Sequence, residues 1–226
     1  MTQGGASLLG KTMKIGEYTV NIKEKIGEGG YAYVYRCEDN TGTQYALKYV
    51  NCLTPERFDQ FKQESIILQA LSPNPFIVKL YASDVNPKTL VIYLLYEFCP
   101  LTAMDILSKR EMTHEEILIF FTACATAVAF LHSQTPPIIH RDIKPENLLV
   151  AMDGTPKLCD FGSATTKIYK HLTAKEIDAA GEDVERNTTQ NYRAPEMVDM
   201  YKRIEIGPAV DVWALGCTLY KLIYRE

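Results

Sequence analysis

The chain changes periodicity once, near Cys99-Pro100, and that change limits the folds open to it. Before it, five runs read as strands: Tyr18–Ile26, Tyr31–Glu38, Thr43–Val50, Phe76–Ser83 and Thr89–Phe98. Asp39-Asn40-Thr41-Gly42 and Val85-Asn86-Pro87-Lys88 supply turns between them. One helix interrupts the series, starting at Pro55, a residue favoured in a first turn, and stopping at Leu71 before Ser72-Pro73-Asn74-Pro75. After Pro100 the pattern is helical. Thr113 with Glu116 forms a capping-box signature for a helix over 114–132, and a last apolar helix follows Pro208. Short strands, Asn147–Ala151 and Pro156–Cys159, flank the turn Met152-Asp153-Gly154-Thr155. Strands followed by helices predict an α+β fold: a five-stranded antiparallel lobe with one main helix over 18–98, then a mostly helical lobe over 99–226. Residues 1–17, with Gly, Ser and Lys and no clear period, read as a mobile leader.

Composition narrows the setting. With 46% hydrophobic and 23% charged residues the chain is an ordinary globular one, and a net charge of −4 gives no basic footprint for nucleic acid. The six cysteines show no C-x-x-C, which reads as reduced thiols, and the four histidines have no metal-ligand spacing. The apolar stretch Ile117–Leu131 is shorter than the roughly 20 residues that span a bilayer, so it predicts a buried helix and no transmembrane segment. The N-terminus carries no signal-peptide core, so the sequon Asn187-Thr188-Thr189 has no secretory context and the expected location is cytoplasmic.

Chemistry gathers in four places. Gly27-Glu28-Gly29-Gly30-Tyr31-Ala32 lies between two strands, where glycines let a backbone approach phosphate oxygens without a Cβ in the way. Alternation in the third strand puts Ala46, Lys48 and Val50 on one face. In the helix, Glu64 sits at helical spacing from Phe61, Ile67, Leu68 and Leu71, so its carboxylate needs a cation, and Lys48 is the partner to expect. Between Ile139 and Leu149, one loop holds Asp142, Lys144 and Asn147. Asp142 can accept a hydroxyl proton, Lys144 can neutralise a transferring phosphoryl group, and the Asn147 amide oxygen suits a hard cation. Asp160-Phe161-Gly162 then supplies a metal-binding carboxylate.

The ordered set Lys48, Glu64, Asp142, Lys144, Asn147 and Asp160, followed by Ala194-Pro195-Glu196, resembles the eukaryotic protein kinases over residues 18–226, and Lys144 favours the serine/threonine branch. The runs Glu28–Val34, Pro136–Asp142, Leu158–Thr166 and Arg186–Thr189 resemble the numb-associated kinases, among them the adaptor-associated and cyclin-G-associated kinases of clathrin trafficking. The resemblance implies a bilobal fold, with ATP and Mg2+ as cofactors. Gly27 and Gly29 would cover the nucleotide phosphates, while Val34, Ala46 and Leu149 would enclose the adenine and Glu97 and Cys99 offer it backbone hydrogen bonds. Lys48 with Glu64, Asp142 and Lys144 would be catalytic, and Asn147 and Asp160 would hold the metal. Tyr96 falls at the position behind the adenine, which its bulk should shut. Leu68, Leu80, His140 and Phe161 match the family's hydrophobic spine, anchored by Asp211, and Thr189 matches a threonine bridging the catalytic loop to the substrate platform. The stretch His171–Glu185 would form the extra helix that numb-associated kinases carry. Substrates would be protein Ser and Thr hydroxyls, with clathrin adaptor subunits as partners at membranes.

The resemblance also implies a truncated C-terminal lobe, because the family has further helices after the one marked by Asp211–Cys217, and one of them supplies the Arg that would pair with Glu196. The alternative reading is therefore a catalytically weak nucleotide-binding interaction module.

Overall fold

The computed structural model describes residues 8–29, 32–71, 73–170 and 172–225. Residues 1–7 of the expected leader, Gly30 and Tyr31 of the glycine run, Ser72, His171 and Glu226 lie outside the described residues. By its internal contacts the chain falls into two compact units: Met1–Ser72 with Lys79–Cys99, and Pro73–Val78 with Pro100–Glu226.

The first unit is one antiparallel sheet and one helix. Its elements are β1 (Thr12–Ile15), β2 (Tyr18–Glu28), β3 (Ala32–Glu38), β4 (Gln44–Asn51), α1 (Pro55–Ala70), β5 (Leu80–Asn86) and β6 (Val91–Glu97). The strand order is β1-β2-β3-β4-β6-β5. Strand alternation gives the sheet two different faces. Tyr45 and Leu47 of β4 join Ile15, Val20, Ile22, Tyr35, Cys37 and Leu95 in one apolar cluster. Tyr33, Tyr49 and Tyr93, in register across β3, β4 and β6, stack at 6.3 and 5.3 Å on that face. On helix α1, the Thr54 hydroxyl accepts from Arg57 N at 3.4 Å, and Phe58, Glu64, Ile67 and Leu68 are buried.

Two expectations need correction. The sheet has six strands rather than five, because Thr12–Ile15, placed in the mobile leader, pairs with β2 through the register Ile15↔Tyr18. Four residues are too few to show a period, but Ile15 is fully buried and Gly16 makes the turn at φ 57°. The strand expected over Phe76–Ser83 starts only at Leu80. Phe76 and Val78 bond instead to Leu158 of the second unit, through Leu158 N to Phe76 O at 2.8 Å and Val78 N to Leu158 O at 2.9 Å.

The second unit contains β7 (Leu101–Thr102), α2 (Ala103–Lys109), α3 (His114–His132), β8 (Leu148–Val150), β9 (Pro156–Leu158), α4 (Ala174–Asn187), α5 (Pro195–Val198) and α6 (Ala209–Tyr224). The three short strands form one sheet in the order β7-β8-β9. The Thr113–Glu116 capping box opens α3, as the sequence predicts. By length and composition alone α3 could cross a membrane. Its stripe Ile117, Phe120, Cys124, Val128 and Leu131 is nevertheless buried, and the helix packs on α6 and β9 as a core helix does. The extra helix expected within His171–Glu185 is α4, which begins at a second capping box, Thr173–Glu176. Its Ile177, Ala180 and Val184 pack into a cluster with Tyr169, Met197, Met200 and Ile206.

Candidate active site

In the first unit, the predicted Lys48–Glu64 pair forms. Lys48 Nζ lies 2.8 Å from Glu64 Oε2 and 3.0 Å from Oε1, and the carboxylate is 1% exposed. Burial at this depth removes water from the carboxylate, and the bidentate contact offsets part of that cost. The ammonium also lies 5.8 Å from the Phe61 ring centre. Register places Val34 opposite Lys48, and alternation puts Val34 and Ala46 on the same face as the lysine. Gly27 pairs with Val34, and a Cβ there would touch Val34 Cβ at 3.4 Å. Gly29 closes the described part of the glycine turn by donating to Ala32 O at 2.7 Å. Glu97 is anchored at the end of β6, where its N–H donates to Lys79 O and its carboxylate accepts from Lys79 N. Half-buried Cys99 is the last residue of this unit.

In the second unit, the loop before β8 gathers its polar groups around Asp142. Thr189 Oγ1 donates to Asp142 Oδ1 at 2.6 Å, and Lys144 Nζ stands 2.8 Å from Oδ2. The Asn147 amide nitrogen donates to Asp142 Oδ2 at 3.0 Å and to the Asp142 carbonyl at 2.7 Å. Because the nitrogen is turned inward, the amide oxygen is the atom left to face a cation. Cys159 N donates to Asn147 O at 3.0 Å, which ties the segment carrying Asp160 to the same loop. Asp160 itself has a left-handed backbone, φ 60°. Leu149 occupies the middle of β8, paired with Thr102 on one side and Lys157 on the other.

The protein kinase domain family matches residues 20–226. The chain belongs to the protein kinase family. This kinase domain is 40% identical over 225 residues to a probable serine/threonine-protein kinase of Dictyostelium discoideum, covering 95% of this chain and 20% of that protein. It is 36% identical to the serine/threonine-protein kinase sel-5 of Caenorhabditis elegans, covering 95% of this chain and 21% of that protein. The actin-regulating kinase PRK1 of Saccharomyces cerevisiae is 31% identical, over 95% of this chain and 28% of its own length. The domain is of the serine/threonine class, and it spans between a fifth and three-tenths of the length of these relatives.

The loop of the kinase domain is fixed from beneath by Asp211 of α6. This fully buried carboxylate accepts from His140 N and Arg141 N, each at 2.8 Å, and from His132 Nε2 at 2.9 Å. Those bonds hold Arg141 at φ 68°, a strained backbone for a long side chain. The His140 ring meets Phe161 edge-on at 5.0 Å, the second-unit half of the expected spine. Asp142 N donates to His140 Nδ1 at 3.3 Å, which leaves Nε2 to carry the proton toward the Cys159 carbonyl at 3.0 Å.

Mg2+ fits the donors that this domain offers. Among the described residues no group of three or more His, Cys, Asp or Glu could hold a metal alone. One amide oxygen and one carboxylate, from Asn147 and Asp160, match an ion that takes few protein ligands and completes its shell with phosphate and water.

Sequence reasoning missed the partner of Arg141. Its guanidinium donates to Ser163 O at 2.7 Å and pairs with Asp183 of α4, which also accepts from the Tyr169 hydroxyl at 2.6 Å. Only the acidic pair Glu182-Asp183 hinted at it. Asn187 of the sequon is buried, with its amide nitrogen bonded to Asp183, so it is no glycan acceptor here.

Proposed function

We propose that this domain transfers the γ-phosphoryl group of Mg2+-bound ATP to serine and threonine hydroxyls of protein substrates. The observation that carries the reading is the anchoring of Asp142 by Thr189, Lys144 and Asn147. Each donor uses part of the carboxylate and leaves lone pairs for a substrate hydroxyl, which Asp142 orients and deprotonates. Lys144 offsets negative charge beside it, and Lys48, held by Glu64, does the same for the nucleotide phosphates. Asn147 and Asp160 would hold Mg2+, which supplies charge neutralisation between phosphate oxygens. The work is mainly positioning. No observation favours the weak binding module.

Helix α4 and the run Arg186–Thr189 support a place among the numb-associated kinases. With that place come clathrin adaptor subunits as substrates, and a cytoplasmic location at membranes reached through partners.

The test is phosphotransfer by the purified protein to adaptor subunits and to an unrelated Thr-containing protein, beside Asp142→Asn. The variant should lose about 10³-fold or more in turnover while Mg-ATP still raises its melting temperature. Undiminished transfer by Asp142→Asn sinks the kinase reading. Equal transfer to the unrelated protein sinks the adaptor assignment.

A further inference from the structure

Tyr96 of β6 lies opposite Ala46 of β4, while Leu94 lies opposite Lys48. Alternation therefore puts the Tyr96 side chain on the face of the sheet where Lys48 meets Glu64. There its hydroxyl donates to Glu64 Oε1 at 2.7 Å, the same oxygen that accepts from Lys48 Nζ at 3.0 Å. Tyr96 is 8% exposed and Glu64 1%. A single buried carboxylate thus takes donors from two strands.

The second donor matters because the first has another task. A lysine that turns its ammonium toward a phosphate shares its three N–H groups and loosens its hold on the carboxylate. A buried carboxylate left with a partial partner is costly, and it moves toward any other donor. The tyrosine hydroxyl is neutral and set on a rigid ring, and it has no second call on it from a phosphate. We propose that Tyr96 is a positioning residue for phosphoryl transfer: its hydroxyl fixes Glu64 and, through Glu64, keeps Lys48 aimed at the nucleotide phosphates. This rests on the kinase reading above and adds to it a residue that the Lys–Glu pair alone does not require.

The experiment compares the protein with Tyr96→Phe, which removes only the hydroxyl, and with Tyr96→Met, which fills the space without a polar atom. Both should lower kcat about ten-fold, as loss of a hydrogen bond to a charged group predicts, with KM for ATP moving less than about three-fold. In a Lys48→Ala background, Tyr96→Phe should change the rate by less than about two-fold, because the path through the lysine is gone. A wild-type rate in either single variant overturns the proposal, and so does a full ten-fold loss in the Lys48→Ala background. If neither the parent protein nor Asp142→Asn transfers phosphate, the kinase reading fails on its own. The proposal is then judged by the rate at which a nucleotide acyl phosphate labels Lys48: slower labelling in Tyr96→Phe supports it, and equal labelling overturns it.

Discussion

One hydroxyl joins a carboxylate to the ammonium beside it: Thr189 Oγ1 donates to Asp142 Oδ1 at 2.6 Å and accepts from Lys144 Nζ at 2.8 Å. Thr189 follows α4, so the segment carrying that helix reports directly on the catalytic loop. Thr189→Ala leaves Asp142 and Lys144 without their shared partner and should lower kcat by roughly 10–100-fold. Thr189→Ser keeps the hydroxyl and should retain most of the rate. Steady-state phosphotransfer by the two variants checks both.

Arg141 precedes Asp142 directly, and its charge is met by Asp183. Asp183→Asn removes the charge and should lower turnover about ten-fold by freeing Arg141 to move its neighbour. Burial pushes the Asp183 carboxyl up, but the Tyr169 hydroxyl and the Arg141 guanidinium outweigh it and hold the group below the usual carboxylate range. A carboxyl whose folded-state pKa lies below the unfolded value of about 3.9 contributes stability that is complete above that value and is lost as pH falls from it through the folded-state pKa. The melting-temperature gap between wild type and Asp183→Asn should stay constant from neutral pH downward and close below about pH 4. A gap that widens in acid would contradict the pairing.

Asp211 is a stability residue with a catalytic address. Three donors converge on its buried oxygens. Asp211→Ala strands them all, at a cost of ~3–5 kcal/mol. For a domain of this size that corresponds to a melting temperature lower by roughly 6–20 °C in scanning calorimetry. Asp211→Asn should fare only a little better, since its NH2 group meets one of those donors.

The Tyr96 ring is buried and bonded to Glu64, so swinging it aside for a ligand costs that bond. Inhibitors that reach past this side chain should bind weakly, and Tyr96→Thr should tighten them by about ten-fold or more through the volume released. The same variant loses the hydroxyl that reaches Glu64, so its turnover should fall while inhibitor affinity rises. Titration of one such compound against both proteins decides it.

The parts of this domain that were legible in sequence are those written in short-range pattern. Alternation exposed Lys48, helical spacing exposed Glu64, and the two had only to be matched. Asp142, Lys144 and Asn147 share one loop, and the capping residues Thr113 and Glu116 mark their helix unaided. What escaped depends on pairing between distant segments. The Tyr96–Glu64 bond requires the register of β4 against β6, which no local pattern states. Asp183 lies in the stretch expected to form the extra helix, and only the path of the chain after Phe161 brings it to Arg141. The start of β5 moved because the residues before it pair with Leu158, a partner far along the chain.

The four residues of β1 bear on where this domain can be cut. β2 is eleven residues long and sits one strand in from the sheet's edge, with β1 covering its first four residues, Tyr18 to Asn21. A protein begun at Tyr18, where the strand pattern first becomes visible, would leave the place of Ile15 vacant and bare the backbone of β2 from Tyr18 to Asn21 to any other chain. Such a fragment would trade solubility for a tidier start: it should self-associate through that edge, whereas one begun before Leu8 keeps its own strand in the way.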